Sequence, residues 1–495
     1  MKYITFQLNA GNSALGGAVR ARAAVAVLAA FLIVSRAAGS TVPHFGGTLR
    51  VEISERIATM DPRQWPSAPA EAAVAERVES LIFDRLVRMD DRGALQPALA
   101  ISWQHDAQWK RWQFRLREGV KFSNGTLLTP PIAAMAMQQL LGISFDVSAN
   151  SDSVVILADQ SLPNFPTQLA TGRYFVFHAV DNGSLFGTGP FTEGVREAMA
   201  RNESISFIAN GSCWAGRPFV DKIDLAMNVD IEQQANAIAF GQADVVELPA
   251  SQVRRSTQRG VRTVSTEPIE LFALVFDGVR PAMQDARVRQ AISLAIDRSS
   301  IADVILQRQG LVAGGLLPNW ISGYAHLFPV SFDVPRAKDL LAASGQALLR
   351  STPLVLFYDS GDAEARAVAE RVAVNLREIG IIIQVSAHPS NGKAKPTEAD
   401  LRLVRHHLTG PDPAASLSEL LNSLGETATE MASPEQIYAA ERAPIDAFRV
   451  IPLVHVTESY GLSPQVRDWM AQRWGGWDLA DVWLGAPPTT VGNTP

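Results

Sequence analysis

His406 and His407 are adjacent in a segment, Leu401-Arg-Leu-Val-Arg-His-His407, that reads as a strand. Successive side chains of a strand point to opposite faces, so the pair cannot chelate one ion from one side. A single histidine of the two lining a cleft stays open. Asp359-Ser-Gly-Asp362 is acidic and turn-like but lacks the spacing of a calcium loop, and it reads as a helix cap. Cys213 is the single cysteine, which excludes an internal disulfide or a cysteine-based zinc site; it reads as a small core residue. No Gly-x-Ser-x-Gly elbow, Walker loop, Gly-x-Gly-x-x-Gly turn or His-Glu-x-x-His pair is present. These residues therefore point to binding rather than turnover, with no cofactor, no metal and no catalytic residue assigned.

The elements around them belong to an α/β chain. At 495 residues, 47% hydrophobic and 19% charged, the sequence can bury the cores of two or three domains. Lys2, Arg20 and Arg22 precede the apolar run Ala23 to Val34, and small residues follow at Ser35, Ala37, Ala38, Gly39 and Ser40. That order predicts an export signal over residues 1–38, too short an apolar run to span a bilayer. No cysteine stands at the cleavage zone to carry a lipid. Removing residues 1–37 takes away four basic and no acidic residues, moving the net charge from −6 to −10. An acidic exported chain argues against nucleic acid as a partner.

The most patterned stretch is Asp285-Ala-Arg-Val-Arg-Gln-Ala-Ile-Ser-Leu-Ala-Ile-Asp-Arg298. Asp285 is a fitting N-cap, and Val288, Ala291, Ile292, Ala295 and Ile296 make one apolar stripe on a helix. Leu271 to Phe276 before it reads as a buried strand. Farther on, a strand (Pro353–Tyr358), an amphipathic helix (Ala363–Ile379) and a strand (Gly380–Val385) predict a β-α-β unit with parallel pairing.

The wording of the Asp285 stretch resembles the signature of the family 5 extracytoplasmic solute-binding proteins, the peptide/nickel-type receptors of ABC importers. The resemblance continues in order through Met60-Asp-Pro62, Trp112-Gln-Phe-Arg-Leu-Arg-Glu-Gly-Val-Lys-Phe-Ser-Asn-Gly-Thr126, Gly187-Thr-Gly-Pro-Phe191 and Ile451-Pro-Leu-Val-His455. It covers roughly residues 46–484. It implies a two-lobed α/β periplasmic binding protein of type II (Venus-flytrap) with an extra N-terminal subdomain. Lobe I would span 39–268, including an inserted subdomain at about 65–185. Lobe II would span 269–450, and 451–495 would return to lobe I. The implied partners are a small-molecule or peptide ligand and the permease subunits of an ABC transporter, with the receptor a monomer in the periplasm.

The resemblance also implies where a ligand sits. The loop after the first Asp-Pro places Trp65, Ser67 and Ala68 at the cleft, and the segment ending in the second Asp-Pro adds Arg405, His406, Thr409 and Asp412. Peptide-binding members carry a Trp and an Asp where this chain reads His406 and Thr409. A hydroxyl cannot form the charge-assisted bond to a peptide ammonium, so weak binding of free peptides is expected, and Arg405 is open to an anionic ligand. Pro130-Pro131 stands where the family's helix opens with an acid, and the spans from Thr129 to Gly187 and from Pro413 to Pro452 are short. The alternatives are a degenerate receptor with an interaction or sensing role and an exported hydrolase.

Overall fold

A computed structural model describes residues 42–486, apart from 67–68, 91, 199–201, 278–279, 346–351, 389–398, 409, 429–430, 432 and 474. The expected export signal lies outside the described residues, as do Ser67, Ala68 and Thr409.

Asp285 does cap the helix Ala286–Ala295, its carboxylate accepting from the Arg287 amide at 2.9 Å. The apolar stripe is buried, with Val288, Ala291, Ile292 and Ala295 fully enclosed. Each such Val or Ile contributes about 1.5–3 kcal/mol on leaving water. This helix covers one face of an eleven-stranded mixed sheet. Its strands are β1 (Thr48–Glu52), β2 (Phe191–Ala198), β3 (Glu203–Ala209), β4 (Lys222–Met227), β5 (Val245–Leu248), β6 (Arg262–Phe276), β7 (Gly310–Val312), β8 (Leu354–Asp359), β9 (Ile383–His388), β10 (Leu401–His407) and β11 (Val450–Leu462). The order is β2-β3-β4-β1-β5-β11-β6-β10-β8-β9, with β7 also on β11. The expected β-α-β unit is present: β8 and β9 pair in parallel on either side of the helix Ala363–Glu378.

Strands β6 and β11 join the two lobes. The Leu271–Phe276 strand expected from sequence is only the second half of β6, which runs 15 residues. Pro268 hides the first half, since a proline within a strand suggests an end. Here it sits at a register shift against β11, the kind of irregularity that accommodates a missing donor. One lobe has its core around Leu49, Val51, Phe191, Phe207 and Leu225 and takes in the C-terminal Tyr460, Trp469 and Trp477. The other sandwiches its sheet between Ala286–Ala295 and Ala363–Glu378 on one side and Pro413–Leu424 and Pro434–Asp446 on the other.

A separate four-stranded sheet (Ala100–His105, Arg111–Leu116, Ser153–Ala158, Phe145–Ala149) with the helix Pro130–Leu141 forms the additional subdomain. Pro130 and Pro131 occupy the first turn of that helix, where no amide needs an intrahelical partner. That explains how this chain dispenses with an acidic opening residue. The helix Pro69–Glu79 ends where the chain turns at Ser80–Phe83 to pass under Gly187–Gly189. No helix among the described residues is long and apolar enough to cross a membrane.

Candidate functional site

Strand β10 runs antiparallel to β6, with His407 opposite Glu270, His406 opposite Leu271 and Arg405 opposite Phe272. Alternation therefore sends His406 to one face and Arg405 with His407 to the other. His406 is buried, with no hydrogen-bond partner on Nε2 among the described residues. Burial, helped by the neighbouring His407, lowers its pKa to about 3. A neutral, enclosed imidazole on this face does not line a solvent-filled cleft; the ring that meets charged groups is His407.

Arg405 is already engaged. Its guanidinium contacts Glu270 at 2.5 Å, Asp362 at 3.0 Å and Glu364 at 3.4 Å, and lies 5.2 Å from the Phe272 ring centre. Desolvation works against its charge, but Glu270, Asp362 and Glu364 together outweigh it and raise its pKa. Three carboxylates around one guanidinium leave no surplus positive charge, so the expectation that Arg405 attracts an anionic ligand is corrected.

A second cluster adjoins the first. Arg77, on the helix Pro69–Glu79, reaches Glu458 of β11 at 2.5 Å, and His407 Nδ1 lies 3.2 Å from the same carboxylate. Arg77 also donates through Nε to the Gly475 carbonyl at 2.8 Å, and Tyr460 donates to Glu458 at 3.1 Å. Burial alone would push the Glu458 pKa up, but Arg77 and then His407 hold it well below the usual range. Glu270, His407 and Glu458 bring ligand atoms within 4.8 Å of one another. A guanidinium stands on each of those carboxylates, so the group reads as a charge-balanced hub before it reads as a cation cage.

Further carboxylates lie near the hub: the Glu458 charge acts on Glu247. Glu247 of β5 accepts from the Ser54 amide and hydroxyl, both at 2.7 Å, and burial raises its pKa. Glu55 is exposed yet crowded; desolvation raises its pKa first, followed by repulsion from Glu247 and Glu71 of its own lobe and Asp359 and Asp362 of the other. Glu55 thus feels carboxylates of both lobes. Sequence reading missed Glu55, Glu247, Glu270, Glu458 and Arg77, and left open which of the two histidines meets them. The available signal was a lone acid within each apolar strand, as in Val245-Val-Glu-Leu248 and Ile269-Glu-Leu-Phe272.

Of the remaining expected residues, Trp65 and Asp412 are described. Trp65 ends the short turn Pro62–Gln64, which Asp61 caps, and packs half-buried on the first core. Asp412 caps the helix Pro413–Leu424 by accepting from Ala415, and its other oxygen lies 3.5 Å from Asn164 of the additional subdomain. The two lobes therefore meet at that point.

Comparison with known proteins agrees with this architecture. The profile of the bacterial extracellular solute-binding proteins, family 5 (middle region), matches residues 94–427. The chain is a family 5 solute-binding protein. It is 27% identical over 386 residues to the nickel-binding periplasmic protein of Escherichia coli (strain K12), covering 69% of this chain and 73% of that one. It is 25% identical over 353 residues to di/tripeptide-binding protein 2 of Pseudomonas aeruginosa (strain UCBPP-PA14), covering 61% of this chain and 65% of the relative. The crystal structure of NikA from Brucella suis in complex with Fe(III)-EDTA superimposes with a TM-score of 0.76 at 19% identity, covering 88% of this chain and all of that one. The fold is thus the two-lobed type II arrangement, and the role of this family 5 receptor is solute binding.

Proposed function

We propose that this receptor captures a small solute bearing positive charge, oligopeptides with a free ammonium foremost, and hands it to the permease of an ABC importer. The observation that carries this reading is the repulsion of Glu55 by Glu247 and Glu71 of its own lobe and by Asp359 and Asp362 of the other, while Arg405 is matched by its own three carboxylates. Like charges brought together on closure oppose it, and a cationic ligand between them removes the opposition. A ligand that prefers the closed arrangement shifts the population toward it. The carboxylate absent at Thr409 is on this account supplied from other elements, which reverses the expectation of weak free-peptide binding. Relatives named for nickel and for di- and tripeptides fit a cationic or ammonium-bearing cargo.

Calorimetry with a pool of di- to pentapeptides, and with the same pool N-acetylated, tests the proposal. Free peptides should bind, and acetylation should weaken binding by about an order of magnitude or more, the scale of one lost charge-assisted bond. Equal binding of both pools, or tighter binding of the acetylated one, sinks the cationic reading.

A further inference from the structure

The helix Ala250–Gln258 starts without a cap of its own. Pro249 stands at its N-cap, no side chain there accepts from the first turn, and that turn holds no acid. Amides at a helix start carry partial positive charge and need acceptors. The acceptor comes from 113 residues away: Glu364 Oε1 takes the Ser251 N–H at 3.0 Å. Glu364 is only 6% exposed, and its second oxygen faces Arg405 at 3.4 Å.

The position of this contact matters. The body of the helix packs through Val253 on Val246 and Leu248 of β5, in the first lobe. Its first residue, Ala250, is buried instead among Leu274, Ala365 and Val368 of the second lobe. Immediately after the helix the chain enters β6, one of the two strands that join the lobes. Glu364 itself lies in the first turn of Ala363–Glu378, whose cap, Asp362, is also held by Arg405. Two helix starts from different lobes are thus fastened to one guanidinium beside the pivot, where a small change of angle becomes a large displacement at the rim.

We propose that Glu364 is an interlobe positioning residue: by capping Ala250–Gln258 from the opposite lobe while Arg405 holds it, it sets the angle at which the lobes meet. The inference rests on the two-lobed fold and not on the identity of the solute, so the test uses ligand-free protein. Hydrogen exchange at the Ser251 amide and X-ray scattering are compared for the wild type, Glu364→Ala and Glu364→Gln. Losing the acceptor in the alanine variant should speed Ser251 exchange by roughly five- to thirtyfold, the factor that goes with a lost helix cap, and should raise the radius of gyration. Glutamine keeps an acceptor oxygen and should retain most of the protection and the compact curve, which also covers the case of an alanine variant that fails to fold. A scattering curve unchanged in the alanine variant, or a glutamine variant as loosened as alanine, overturns the proposal. A fall in melting temperature with the angle intact would reduce Glu364 to a stabilising contact and overturn it equally. None of these outcomes bears on which solute is bound.

Discussion

Glu79 shows how far a single side chain can depart from its solution behaviour. It is 1% exposed, and burial raises its pKa to about 8, with Arg85 pulling the other way. Unfolded, the same group titrates near 4.5. Between those two values the folded state keeps a proton that the unfolded state has lost, so stability falls as pH rises through the window and levels off above it. Glu79→Gln cannot ionise. Urea unfolding of the two proteins should therefore diverge from pH 5 to pH 8 in favour of glutamine, by on the order of a few kcal/mol. A constant difference across that range would mean that Glu79 is charged in the folded protein. The buried His455 behaves with the opposite sign: burial lowers its pKa to about 4, so its contribution is lost as pH falls below the usual histidine range.

At the scale of elements, helix starts were legible because their chemistry is local. Asp285 and Asp362, both read as caps from the sequence, each cap the helix that follows, and in the structure Asp333 and Asp412 do the same. Strand partners were less legible, since pairing depends on which segments meet. The crossing of Gly187–Gly189 over Leu81–Phe83 is such a meeting, with Gly189 donating to the Ile82 carbonyl at 2.8 Å. A Cβ on Gly187 would lie 1.9 Å from that same oxygen, whereas one on Gly211 would meet nothing within 4 Å. Gly187→Ala should thus destabilise by about 1–3 kcal/mol or more, while Gly211→Ala stays within about 0.5 kcal/mol. Denaturant midpoints of the two variants check the pair, and equal midpoints would show that the crossing can yield.

For the whole molecule, the rim contact offers a direct handle on closure. A Cβ on Gly410 would sit 3.3 Å from Thr171 Cγ2, so the γ position of residue 171 already touches the β position of residue 410, and cysteines at these two positions are within reach of a disulfide, whose Cβ atoms stand about 3.5–4.5 Å apart. The variant Thr171→Cys, Gly410→Cys, with Cys213→Ser to remove the native thiol, should cross-link on oxidation. It should then lose any ligand-dependent contraction in X-ray scattering, and reduction should restore it. Contraction that persists in the oxidised protein would show that closure does not run through this rim.

The sequence by itself determined the family, the α/β class, the helix caps, the amphipathic helix of the β-α-β unit and the absence of known catalytic motifs, because each rests on residues close together in the chain. It also located the two Asp-Pro segments. Only the tertiary structure decided what Arg405, His406 and His407 do. Arg405 is neutralised by Glu270, 135 residues earlier, and by Asp362, 43 residues earlier; His407 meets Glu458 from another strand. The charge of a site is the sum over groups that folding brings together, and strand register decides which of two adjacent histidines faces them.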